Sequence, residues 1–175
     1  MMYPVYVKPC CGCVSYGPYV PDYHYAGQTR SLAPRQIDLR DYGPNPYVVN
    51  IEEAAEQNRN FRTALWTGRH FQVTLMSIPP GQDIGLEVHP STDQFVRIEE
   101  GQALVQMGDR RDRLTFAAPA REDDAIMIPA GKWHNVTNTG AVPLKVYVIY
   151  APPEHPRGTV HVTKRDAMAA EAGAN

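Results

Sequence analysis

Gly81-Gln-Asp-Ile-Gly85-Leu-Glu87-Val-His89-Pro-Ser91-Thr-Asp93-Gln94-Phe-Val96-Arg-Ile98-Glu-Glu100-Gly101 and Pro129-Ala-Gly131-Lys-Trp-His134-Asn-Val-Thr-Asn138 are the two stretches that decide how this chain folds. Successive side chains of a strand alternate between its faces. In the first stretch Glu87 and His89 therefore share a face, with Gly85 also on it. Gln94, Val96 and Ile98 share a face of the strand that follows. In the second stretch His134 opens a strand just after a Pro-x-Gly turn. If these faces point inward, a carboxylate, two imidazoles and an amide oxygen meet at one level.

The surrounding sequence is built of short strands. Phe71 to Ile78 reads as a strand ended by Pro79-Pro80-Gly81, and Ile84 to His89 as a second. Gln94 to Glu100 and Gln102 to Met107 pair across Gly101. Leu114 to Ala117, Ala125 to Ile128, His134 to Thr137 and Leu144 to Tyr150 follow, with Gly, Pro and Asp turns between them. Short strands at this spacing predict an all-β sandwich or barrel. One helix is expected before them, Ile51 to Asn58, capped by Asn50 with Glu53 at its third position. The alanine-rich end, 166–175, is expected to form a frayed helical tail.

The two stretches resemble the motifs of the cupin family. The first cupin motif is a His-x-His pair and a Glu between two glycines. Counted from Gly81 and Gly101, those ligand positions fall on Glu87, His89 and Gln94. The second motif is Pro-x-Gly, then a His and an Asn, matched by Pro129, Gly131, His134 and Asn138; Asp123 stands where its leading glycine is usual. The resemblance spans about 71–150. It implies a double-stranded β-helix, or jelly-roll barrel, a homodimer, and a divalent metal held by Glu87, His89, Gln94 and His134. Two imidazoles, one carboxylate and one amide oxygen suit Fe, Mn, Ni or Zn without choosing among them. A second register, with Ser91 in the second His position and Asp93 or Gln94 as third ligand, satisfies the flanking glycines less well. Asp93 is expected to face outward, and Asn138 to serve as a structural turn amide. The run from Tyr150 to His161 is similar to the tail of small cupins of the mannose-6-phosphate-isomerase-like group, and is expected to lie as a rigid segment over the barrel exterior or mouth.

Outward from the barrel, the composition changes. The first 47 residues carry all three cysteines and eight of the ten tyrosines, with prolines throughout. They are expected to be an extended arm, with the barrel at 48–165 and a tail at 166–175. Cys10, Cys11 and Cys13 lack a fourth ligand for zinc other than the distant His24, and read as thiols on that arm. With 17 basic and 19 acidic residues, a net charge of -2 gives no basic stripe for nucleic acid. No apolar run approaches the roughly 18 residues of a membrane span. Met1 to Lys8 has no cationic region followed by an apolar stretch. A cytoplasmic protein with a small-molecule substrate, and neither nucleic acid nor membrane as partner, is the expectation.

The functional expectation is a metal-binding enzyme acting on a small polar molecule, by isomerase-like chemistry at a polarised carbonyl. Glu87, if not ligated, or Tyr150 would move the proton. The alternatives are a cupin dioxygenase, a non-catalytic metabolite-binding protein, and a structural protein working through its arm.

Overall fold

The computed structural model describes residues 36–172. The cysteine cluster and the first six tyrosines lie outside them. The elements run α1 (Ile51–Gln57), β1 (Arg62–Thr67), β2 (Gln72–Ile78), β3 (Asp93–Glu100), β4 (Gln102–Gly108), β5 (Phe116–Arg121), β6 (Ala125–Ile128), β7 (Trp133–Asn138), β8 (Leu144–Ala151), β9 (Val160–His161) and α2 (Lys164–Ala172). They form a six-stranded sheet, ordered β6-β3-β8-β2-β1-β9, facing a three-stranded sheet, β5-β4-β7. Every strand pair is antiparallel. The strand spacing predicts an all-β sandwich or barrel, and the jelly roll seen is the form that the cupin resemblance implies.

Alternation along the strands builds the core. Val96 and Ile98 of β3, Met76 and Ile78 of β2, and Leu144, Val146 and Val148 of β8 point into the space between the sheets. Val105 and Val136 meet them from β4 and β7. Full burial of each such side chain contributes about 1.5–3 kcal/mol. The same alternation carries polar groups inward at one end of the barrel. Gln94 lies opposite Tyr150, and Tyr150 opposite Gln72, in one cross-strand row. At the turn between β3 and β4, Gly101 has φ +98°, and a Cβ there would sit 3.3 Å from the Leu144 Cα.

The outer face of the large sheet is covered locally. Ala54 and Ala55 of α1 pack on Leu65 and Leu75, joined by Ile37, Leu39, Tyr47 and Val49. Residues 36–47 are thus laid on the chain's own sheet, and belong to the same compact unit as the barrel. Asp41 fixes them: its carboxylate accepts from Thr67 N, Thr67 Oγ1, Gly43 N and Gly158 N. Asn50 caps α1 by accepting from Glu53 N.

Three local expectations are corrected. Ile84 to His89 is not a strand; it makes only single bridges, at Asp83 and Glu87, to β7. Gly85, at φ +98°, breaks its extended run. The strand expected at 114–117 begins later, at Phe116, because Arg110 to Arg113 close a turn first. β1 carries no alternating apolar signal, since its inward positions are Arg62 and Ala64. At the other end, α2 starts at Lys164 rather than 166, capped reciprocally by Thr163 and Asp166.

Candidate metal centre

Backbone pairing assembles the centre. Glu87 and His134 exchange two hydrogen bonds, Glu87 N to His134 O at 3.1 Å and His134 N to Glu87 O at 2.9 Å. Gly131 N donates to His89 O at 2.8 Å, tying the loop before β3 to the Pro-x-Gly turn. These bonds bring three side chains to one point. Glu87 Oε1 lies 3.3 Å from His89 Nε2 and 3.4 Å from His134 Nε2. Glu87 and His89 are almost wholly buried, and the His134 side chain is 1% exposed.

The tautomers follow from the outer nitrogens. His134 Nδ1 lies 2.8 Å from Lys132 O, a carbonyl that can only accept, so Nδ1 carries the proton. Its Nε2 is buried and faces Glu87 Oε1. His89 Nδ1 lies 3.1 Å from Glu154 Oε1, so its Nε2 is the nitrogen turned toward Glu87. Three ligand atoms converging on one buried point could hold a cation. Their spacing suits one: two ligands about 2.1 Å from an ion and tetrahedrally placed stand about 3.4 Å apart. Among the described residues, Glu87, His89 and His134 form the group whose donor atoms all lie within 4.8 Å of one another.

Gln94 enters from β3 on the interior face, 4% exposed, and its Oε1 is buried without a hydrogen-bond partner. Asp93 faces outward, accepting from Ala130 N at 2.8 Å. Asn138 donates to Ile78 O and Val142 O and accepts from Gly140 N, a turn amide saturated by backbone.

The electrostatics assign charge states. Burial pushes the Glu87 carboxyl up, but hydrogen bonds from His134 and His89 and the Arg62 charge outweigh it, holding Glu87 at about 2. Burial alone lowers His89, yet the bond and charge of Glu87, with those of Glu154, raise it. Burial raises Tyr150 to about 12, so the phenol keeps its proton, a donor rather than a base.

Sequence reasoning undervalued one residue. His155 belongs to the segment expected as a rigid run over the barrel exterior or mouth. Gln72 instead clamps it inward: Gln72 Nε2 donates to His155 O at 2.9 Å and His155 N donates to Gln72 Oε1 at 3.0 Å. The His155 ring stands edge-on to Tyr150 at 4.9 Å. Burial, then the Arg62 charge, lower its pKa to about 3, so it is neutral. Arg62 itself, inward on β1, was also missed. No sequence signal marked it, because a lone Arg in an unpatterned segment reads as surface.

Double-stranded β-helix topology, the Pro-x-Gly-His turn and an inward His/Glu cluster define a cupin. The chain belongs to the cupin superfamily: residues 74–150 match the family model described as a cupin domain. It is 62% identical over 141 residues to the protein YrkC of Bacillus subtilis (strain 168), covering 81% of this chain and 76% of that one. It is 40% identical over 119 residues to the protein L612 of Acanthamoeba polyphaga mimivirus, covering 67% and 72% of the two chains. The crystal structure of BH2720 from Bacillus halodurans is similar at 65% identity and a TM-score of 0.74, over 74% of this chain and 98% of that one. Among the described residues, no helix is long and apolar enough to cross a membrane.

Proposed function

We propose that the chain is a metal-dependent enzyme acting on a small polar molecule, with Glu87, His89 and His134 as ligands and Gln94 as the fourth. One observation supports this reading most: two imidazole Nε2 atoms converge on an ionised carboxylate oxygen in a buried space, at 3.3 and 3.4 Å from it. A bound divalent ion would supply Lewis acidity toward a substrate oxygen. The chain's own groups then handle the proton. Tyr150, holding its proton, donates to an oxygen that gains charge. His155, held neutral and with a free Nε2, can accept a hydrogen bond from a substrate hydroxyl and orient it.

A second reading has its own support. Two histidines and one carboxylate with further positions open is also the set used by iron-dependent oxygenases. Elemental analysis of protein purified without added metal, beside His89→Ala and His134→Ala, tests the shared claim. Near-stoichiometric metal that vanishes in both variants is expected. Folded wild type that takes up none of Fe, Mn, Ni or Zn would sink both readings. Iron with substrate-dependent oxygen uptake selects the oxygenase.

The homodimer remains a proposal as well. Phe116, 51% exposed, and Met127, 65% exposed, line one apolar groove with Ala118 and Pro119 at the rim between β5 and β6. Met127→Glu should yield a monomer in sedimentation; an unchanged mass would place the contact elsewhere.

A further inference from the structure

Beyond the metal ligands, the barrel interior holds a second polar group centred on Arg62. Arg62 pairs with Met76 on one side and His161 on the other, so its side chain enters from the interior face of β1. Its side chain is 1% exposed. A guanidinium has five donors and never gives up its charge. Here its one carboxylate partner is Glu171 of α2, at 3.4 Å, and its Nε has no partner at all. Three more buried atoms without partners belong to groups close enough to feel its charge: Tyr150 Oη, His155 Nε2 and His161 Nδ1. Glu87 feels it too, so the group adjoins the metal centre.

Such an arrangement is costly without a ligand. A buried cation whose one carboxylate partner stands at 3.4 Å, with the Tyr150 phenol as its other neighbour, recovers little of the hydration it lost. Buried polar atoms without partners are rare, and several around one guanidinium mark a place for a molecule that brings its own acceptors. The kind of molecule is indicated by what already sits there. Glu171 presents a carboxylate, but by one oxygen at a poor distance. Arginine prefers two carboxylate oxygens at about 2.7–2.9 Å. The helix that carries Glu171 is lightly held: Ala167 is its one buried residue, Met168 rests on Gly85, and Lys164 pairs with Asp83 at 2.6 Å.

We propose that Arg62 is the seat for a carboxylate of the substrate, and that Glu171 of α2 holds this seat in the free protein and leaves it when ligand enters. The inference rests on the metal-enzyme reading and narrows its substrate to a small oxo- or hydroxycarboxylate. Its carboxylate would lie on Arg62 while its second oxygen faces the centre formed by Glu87, His89 and His134. Entry would require α2 to lift, because the guanidinium is otherwise sealed.

The test uses the full chain, labelled with nitrogen-15, metal-free and zinc-loaded. The probes are pyruvate and glycolate, each beside its neutral amide. The acids, and not the amides, should shift the Arg62 Nε–H resonance and speed hydrogen exchange in α2. Glu171→Gln, which removes the competing charge, should bind the acids about ten-fold more tightly. Arg62→Lys should bind them at least about ten-fold more weakly, since an ammonium cannot form the fork; thermal melting checks that it folds. Equal responses to acids and amides would overturn the proposal. So would silence of the Arg62 signal in Glu171→Gln at tens of millimolar acid. The two readings separate cleanly. If none of Fe, Mn, Ni or Zn binds but metal-free protein responds to the acids, the metal-enzyme reading falls and the seat stands. If zinc binds and the acids leave Arg62 untouched, the seat falls alone.

Discussion

His89 Nδ1 and the Glu154 carboxylate meet at 3.1 Å across the barrel mouth. His89 lies on the loop before β3, and Glu154 on the segment that follows the last long strand. The contact does two things. It fixes the proton on Nδ1, so that Nε2 faces Glu87, and it holds the C-terminal segment over the centre.

Carboxylate partners of metal-binding histidines raise ligand basicity and lock the ring. Glu154→Gln should therefore weaken zinc binding about 10- to 100-fold, measured by competition with a chelating dye. Glu154 is partly exposed, so the fold should melt within a few degrees of wild type. Unchanged zinc affinity would show that His89 is oriented by its packing alone.

Asn138 gives the contrasting case. It sits in the second motif beside His134, yet all its bonds go to backbone: Ile78 O, Val142 O and Gly140 N. Asn138→Ala leaves two buried carbonyls unpaired and should cost about 2–4 kcal/mol in denaturant unfolding. Zinc affinity per folded molecule should not change. A loss of affinity without a loss of stability would make Asn138 part of the metal centre.

Those two residues show what was legible in the sequence. The cupin resemblance, counted from Gly81 and Gly101 and from the Pro129-x-Gly131 turn, picked out Glu87, His89, Gln94 and His134, and strand alternation, being local, put Gln94 on the inward face of β3. The same logic gave β2, β3, β4, β6, β7 and β8 to within a residue or two. It failed where side chains break the pattern. β1 presents Arg62 and Ala64 inward, so no alternation announced it. Glu154 and His155 lie in a Pro-rich run whose path is set by Gln72 and Asp41, both remote in sequence. Long-range hydrogen bonds of that kind leave no periodic trace.

Asp41 is the remote anchor of that segment. Burial raises its pKa, but bonds from Thr67, Gly158 and Gly43 lower it overall, so it is an ionised acceptor. Asp41→Ala removes four bonds, one of them to Gly158 on the segment that carries Glu154 and His155. It should cost about 2–3 kcal/mol and speed hydrogen exchange at 155–160. If protection there stays intact, Gln72 alone suffices to hold the segment.

Acid should destabilise the metal-free protein through two groups over overlapping pH ranges. His155 is depressed from 6.5 to about 3, so its stabilisation is complete above pH 6.5 and lost as pH falls toward 3. Glu87 is depressed from 4.5 to about 2, and its share is lost from pH 4.5 downward. His89 is raised above 6.5, so its share is present below that value and fades as pH rises through its folded pKa. His155→Gln should therefore flatten the fall in melting temperature between pH 6.5 and 4. Parallel curves for variant and wild type would mean that His155 is solvated in the folded state.

Gln94 separates the metal-free and metal-loaded states. Its Oε1 is buried and unpartnered, on the interior face that carries Tyr150. Gln94→Glu places a second carboxylate where the nearby Glu87 is already ionised. Without metal, that charge is buried beside a like charge, and the variant should melt lower than wild type. With a divalent ion the added negative charge becomes a ligand, and affinity should rise about ten-fold or more. The signs must oppose: lower melting metal-free, tighter zinc binding by dye competition. If Gln94→Glu is destabilised in both states and binds zinc no better, Gln94 does not reach the ion. The centre would then be the three ligands Glu87, His89 and His134 alone, with one more position left for substrate.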